Sequence, residues 1–144
     1  MPGYSGTPLI KKLGIKPSMT LVAVDAPMEY REWLGALPEG ARIVTRSDRT
    51  LAAVHLFVTE RARLHTCLTT LRRTLEPAGF VWVSWPKKAS GVATDITEDI
   101  VRDVALPMGF VDIKVCAVTD VWSALKLVIR LSERERRRPP ARTP

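Results

Sequence analysis

Along the chain, apolar residues fall into short blocks divided by clusters of Pro, Gly, Asp and Ser, and the period of each block assigns it to a strand or a helix. A leader, residues 1–19, holds a helical turn from Pro8 to Leu13 that Gly14 closes. Residues 20–24 are largely β-branched and predict a first strand; Asp25-Ala26-Pro27 breaks it and places Asp25 to cap the next helix. There Tyr30, Trp33, Leu34 and Leu37 recur at helical spacing, giving one apolar face ahead of the Pro38-Glu39-Gly40 turn. Residues 41–45 predict a second strand. Residues 51–58 predict a third, and their nearly unbroken apolar run suits a central parallel strand covered on both faces.

Thr59 and Glu60 open a helix with Leu64, Cys67, Leu68, Leu71 and Leu75 on one stripe, and Pro77-Ala78-Gly79 ends it. Residues 80–85 predict a fourth strand, followed by a polar connection over residues 86–91. Asp95 and Glu98 have capping-box spacing, so a further helix begins near Asp95. Its stripe of Ile96, Ile100, Val101, Val104 and Met108 runs into Pro107, which distorts the last turn. Residues 110–118 and 121–130 are strand patterns separated only by Thr119-Asp120, a gap too short for a parallel crossover, so they form an antiparallel hairpin.

The order β-α-β-β-α-β-α-β-β predicts a single three-layer, Rossmann-like α/β domain over residues 1–131, with a mostly parallel six-stranded sheet ending in the hairpin. Residues 132–144, rich in Arg and Pro, are expected to be a disordered tail. A chain of 144 residues is long enough for one core, and no block approaches the roughly 18 apolar residues of a membrane span. Residues 1–6 lack the basic and apolar regions of a signal peptide, which predicts a cytoplasmic protein. Cys67 and Cys116 have no CxxC or Cys/His company, so neither a disulfide nor a metal site is expected. The net charge is +7, of which the tail supplies +3; the mildly basic remainder permits an anionic partner without selecting one.

The strand following Leu13-Gly14-Ile15-Lys16-Pro17-Ser18-Met19, the Leu75-Glu76-Pro77-Ala78-Gly79-Phe80 link from helix to strand, and the Met108-Gly109-Phe110 entry to the hairpin together resemble class I methyltransferases in topology. A second resemblance is carried by Gly3-Tyr4-Ser5-Gly6-Thr7-Pro8-Leu9 with Lys11-Lys12-Leu13-Gly14-Ile15, by the run from Trp82-Val83-Ser84-Trp85-Pro86 through Gly91 to Asp95, and by Val115-Cys116-Ala117-Val118 with Trp122-Ser123-Ala124-Leu125-Lys126. It is to a family of small bacterial proteins, mainly actinobacterial, described as a domain of unknown function, and it brings no catalytic residue. The methyltransferase resemblance implies a truncated form. A helix–strand pair is missing between Thr45 and Leu51, Asp25-Ala26-Pro27-Met28-Glu29 stands where a glycine-rich cofactor loop belongs, and no acidic residue ends the second strand. Without glycines the backbone cannot approach an adenosyl ligand closely, so no cofactor is expected.

In an open parallel sheet, ligands bind beyond the carboxyl ends of the strands. That geometry gathers Asp25 to Met28, Val58-Thr59 and Trp85 to Gly91. Lys87, Lys88, Ser90, Gly91 and Thr94 form the expected anion seat, two lysines and two hydroxyls around a Ser-Gly turn ahead of a helix N-terminus; Walker spacing is absent, and the plain alternative is a solvated turn. Trp85, beside this loop, is expected to be exposed, Asp25 to face the same crevice, and Trp82 to lie in the core. His55, inside the most apolar strand, reads as a neutral, hydrogen-bonded core imidazole. On the hairpin, Asp112, Lys114 and Cys116 are expected to share one face, with Lys126 and Arg130 sharing a face of the partner strand.

Lys11 and Lys12, with Arg136, Arg137 and Arg138, are the candidate nucleic-acid contacts. No Ser/His/Asp spacing and no paired acid–base carboxylates emerge, so the pattern leans away from an enzyme. The expected function is a non-catalytic or regulatory binding module for an anionic small molecule. A nucleotide- or adenosylmethionine-dependent transferase, a basic nucleic-acid-associated protein, and an interaction subunit or homo-oligomer are the alternatives.

Overall fold

The computed structural model describes residues 7–137, with side chains through Arg134. Six strands, β1 (Thr20–Val24), β2 (Arg42–Val44), β3 (Leu51–Phe57), β4 (Leu75–Pro86), β5 (Phe110–Ala117) and β6 (Trp122–Ile129), form one sheet in the order β2-β1-β3-β4-β6-β5. The first four run parallel, whereas β6 is antiparallel to both β4 and β5. This is the mostly parallel, hairpin-ended α/β sheet that the sequence predicts.

Alternation along each strand feeds two cores. Val54, Leu56, Val81, Val83, Leu125 and Leu127 meet α3 (Arg61–Thr74) and α4 (Glu98–Ala105) through Leu64, Leu68, Val101 and Val104. Leu21, Ala23, Phe57, Trp82 and Ala124 face the other way, onto α1 (Leu9–Leu13) and α2 (Tyr30–Leu34). Both faces of the central strands are therefore dry, as the unbroken apolar runs require. Right-handed crossovers explain the division: the chain steps one way from β1 to β2 and the other way from β2 to β3 and β4, so the connections fall on opposite faces. Between β2 and β3 only residues 45–50 cross back over the sheet, without a helix.

Several boundaries depart from expectation, each for a local reason. α2 stops at Leu34 because Gly35 leaves the helix at φ +71, and Leu37 packs on the core from outside it. Asp25 does not cap this helix; it turns the chain at φ +58 and reaches elsewhere. β4 begins directly after α3, at Leu75, and residues 76–79 bulge between the Leu51–Leu75 and Ala53–Phe80 pairs. Gly79 permits this, since a Cβ there would lie 2.9 Å from the Ala52 carbonyl oxygen. Pro107 sits, as expected, in a distorted last turn, the 3-10 segment Leu106–Met108.

The tail expected from residue 132 instead starts as a helix, α5 (Leu131–Arg137). Glu133 pairs with Arg72 of α3, and Arg134 Nε donates to the Ile129 carbonyl, contacts that composition does not reveal. On the hairpin, the register shifts between Asp112 and Lys114, so the two do not share a face. Asp112 pairs with Arg102 of α4, while Lys114 stands opposite Lys126 on the α1 side.

Candidate ligand-binding rim

Because β1, β3 and β4 are parallel, their carboxyl ends deliver Asp25, Val58-Thr59 and Lys87 to one rim. The connections leaving β1 and β3 diverge there, which makes a crevice at their tips. Asp25 holds a left-handed backbone, φ +58, a conformation that is uncommon for a residue bearing a Cβ. Its carboxylate accepts from Arg63 Nη2 at 2.7 Å and Nε at 3.1 Å, a fork from the first turns of α3. The same hydrogen bond raises the Arg63 guanidinium above its ordinary range.

Beside this pair lies a cleft of about 220 Å³ lined by Asp25, Phe57, Thr59, Glu60, Arg63 and Trp122. Trp122 meets Phe57 edge-on at 5.1 Å and forms its apolar wall. A second hollow, about 440 Å³, opens at the ends of β1 and β2 among Asp25, Pro27, Tyr30, Arg31 and Thr45. Arg31 Nη2 closes one side of it by donating to the Ile43 carbonyl at 2.8 Å.

The loop after β4 is stitched to itself and to α3. Lys87 N donates to the Val121 carbonyl at 2.7 Å, and a 3-10 turn, Lys88–Ser90, ends at Gly91 with φ +80. Ser90 Oγ donates to the Lys87 carbonyl at 2.7 Å and accepts from Val92 N. Thr94 Oγ1 donates to the Thr59 carbonyl at 2.7 Å and accepts from Ile96 N. The hydroxyl protons of Ser90 and Thr94 thus serve the loop itself. Lys87, half-buried, and Lys88, exposed, are the cations this segment offers.

Asp95 takes a role that capping-box spacing misassigned. Its Oδ1 accepts from Arg61 N at 2.7 Å and caps α3, while Thr97 caps α4 by accepting from Ile100 N. Glu98 and Asp99 fill the first turn of α4 and both bind Arg102. Trp85, expected exposed, is buried in the core against α3 and α4, because its register position opposite Ser123 points it inward. Trp82 lies in the core as expected, its Nε1 donating to the Leu13 carbonyl at 2.9 Å.

His55 is the buried, hydrogen-bonded imidazole the sequence predicts, with partners it does not name. Nδ1 lies 2.7 Å from Tyr30 Oη and Nε2 lies 2.7 Å from Ser84 Oγ. Burial pulls the imidazole down to about 3 and pushes the Tyr30 phenol up. Ser84 and His55 are fully enclosed, so this is an internal polar bridge and not an accessible nucleophile. The available clue was a lone Ser inside the most apolar stretch of β4, where only a buried partner would satisfy it.

Lys11 and Lys12 belong to α1, and Lys12 Nζ donates to the Ala117 carbonyl at 3.5 Å. Arg136 and Arg137 fall in the last turn of α5, and Arg138 lies outside the described residues. Among the described residues, no group of three His, Cys, Asp or Glu could hold a metal ion, and no helix is long and apolar enough to cross a membrane.

Sheet order, crossovers and a crevice at the strand tips define a Rossmann-like domain of the methyltransferase type. Solved structures of methyltransferases share this fold. One, a SAM-dependent methyltransferase from Aquifex aeolicus, is 15% identical, with a TM-score of 0.61 over 84% of this chain and 87% of that one. A putative methyltransferase from Thermoplasma acidophilum is 9% identical, with a TM-score of 0.54 over 88% and 76%. Magnesium protoporphyrin IX methyltransferase from Synechocystis, solved with bound SAH, is 11% identical, with a TM-score of 0.53 over 85% and 78%. At these identities the likeness is one of fold. No protein-family model and no curated protein matches the chain.

Proposed function

We propose that the chain is a binding module for a small anionic molecule, built on a methyltransferase-type sheet and non-catalytic in its own right. The observation that carries this reading is Asp25, in left-handed backbone and paired with Arg63 at the lip of the cleft where the β1 and β3 connections part. Non-glycine residues in that conformation concentrate at ligand sites. Trp122 supplies an apolar wall, and Lys87 follows Pro86, the register partner of Trp122, so a second cation stands at the same rim. An anionic group would compete with Asp25 for Arg63, with Lys87 and Lys88 supplied by the strand end next along the rim.

Adenosylmethionine-dependent transfer is the second reading, favoured by the fold of the structural relatives and by the hollow at the ends of β1 and β2. Against it stand residues 25–29, which contain no glycine and include Pro27, a residue without an amide hydrogen to offer.

Calorimetric titration separates the two. With nucleotides and inorganic phosphate as probes, the wild-type chain is expected to bind at least one, and Lys87→Ala/Lys88→Ala to abolish that binding. Saturable one-to-one binding of adenosylmethionine that survives the double substitution would establish the second reading in place of the first.

A further inference from the structure

Away from the rim, the α1 side of the hairpin carries a stripe of lysines. Lys126 of β6 places Nζ 4.4 Å from the Phe80 ring centroid and 5.8 Å from that of Trp82. Lys114 of β5 is its register partner. The end of α1 presses on the same spot, since a Cβ at Gly14 would lie 3.9 Å from Lys126 Nζ. Lys16 follows α1 and bears on Lys126, and Lys12 and Lys114 bear on Cys116.

Like charges directly opposite in an antiparallel ladder destabilise it. Here the opposition is left uncompensated: among the described residues Lys16, Lys114 and Lys126 make no ion pair. The acid on the same strand, Asp112, is turned to the opposite face by the register shift and held by Arg102. Lys126 is also partly desolvated, and burial, then Lys114 and Lys16, pull its ammonium below the usual range. A chain of net charge +7 that keeps such a stripe together is complementary to an external polyanion.

We propose that Lys16, Lys114 and Lys126, with Lys12 at the end of the stripe, bind the phosphate backbone of a double-stranded nucleic acid without reading its sequence. Ammonium groups are compact point charges suited to phosphate contacts. Single-stranded recognition needs open aromatic faces for unpaired bases. Here Lys126 covers Phe80, and Trp82 is fully buried. An acidic peptide adding to the sheet would pair along the open β5 edge, beside Lys114, whereas Lys126 lies one strand inward on β6.

Fluorescence anisotropy with a labelled duplex of about 20 base pairs tests this on the full chain across a salt series. Lys114→Gln/Lys126→Gln is expected to lose at least about tenfold in affinity at low salt and to flatten the log–log salt slope by about 1.8, at about 0.9 per phosphate contact. Its melting temperature should hold or rise, because the like-charge opposition is gone. Lys87→Ala/Lys88→Ala should leave duplex affinity unchanged, which keeps this surface separable from the rim. Four results would overturn the proposal: unchanged affinity in the Lys114/Lys126 variant, loss confined to a variant with Arg136, Arg137 and Arg138 replaced by Gln, tighter binding of a single strand of equal length, or displacement of the duplex by polyglutamate at matched charge.

Discussion

At the scale of single residues, Asp25 and His55 show how much the core asks of positions that composition leaves unremarkable. Asp25 adopts a left-handed turn that costs an L residue roughly 1 kcal/mol, somewhat less for Asp than for most. Its pair with Arg63 is half exposed and returns little. Asp25→Gly is therefore expected to raise stability by up to about 1 kcal/mol in urea unfolding and, by freeing Arg63, to tighten an anionic rim ligand; Asp25→Val should lower stability by about 1–2 kcal/mol. If both variants lose stability equally, backbone conformation is not the controlling factor. For His55, burial sets the folded value at about 3, against 6.5 unfolded. The unfolded chain then holds the extra proton between those limits, so this contribution is complete above about pH 6.5. It is lost as pH falls toward 3, by up to about 1.4 kcal/mol per unit. His55→Gln should be less stable than wild type at neutral pH, with the gap closing on acidification; parallel stability curves from pH 7 to 5 would refute the link.

At the scale of elements, strand and helix types were legible because each apolar block carries a clear period, and the hairpin followed from the short Thr119-Asp120 gap. What local patterns missed were contacts made across the chain. Asp95 lies three residues before Glu98, so spacing assigned it to α4, yet its partner is the amide of Arg61 at the start of α3. The five-residue α2 ended early because Gly35 interrupts an otherwise regular stripe. Asp95→Ala is expected to destabilise the chain by about 1 kcal/mol, with faster amide exchange at Arg61 and through the 91–96 loop. Thr97→Ala should cost a similar amount but speed exchange at Ile100 instead; the opposite pattern would restore Asp95 as the α4 cap.

At the scale of the whole molecule, three parallel strand tips meet at one rim, and the sequence placed Asp25, Thr59 and Lys87 there through topology alone. It could not show that Trp85 turns inward, or that Ser90 and Thr94 use their protons within the loop, because both depend on register and on backbone partners distant in sequence. The sheet also ends in β5, an outer strand whose Ile113 and Val115 are 54% and 50% exposed. An open strand with apolar side chains is a template on which further copies can polymerise, and irregular pairing and an edge lysine are the usual gatekeepers. The shifted register around Ile113 and the charge of Lys114 both fall on this strand. Lys114→Val would join three β-branched residues along it, and such a variant should scatter light on concentrated storage while the wild type stays clear; equal clarity would mean that the irregular pairing alone is sufficient protection.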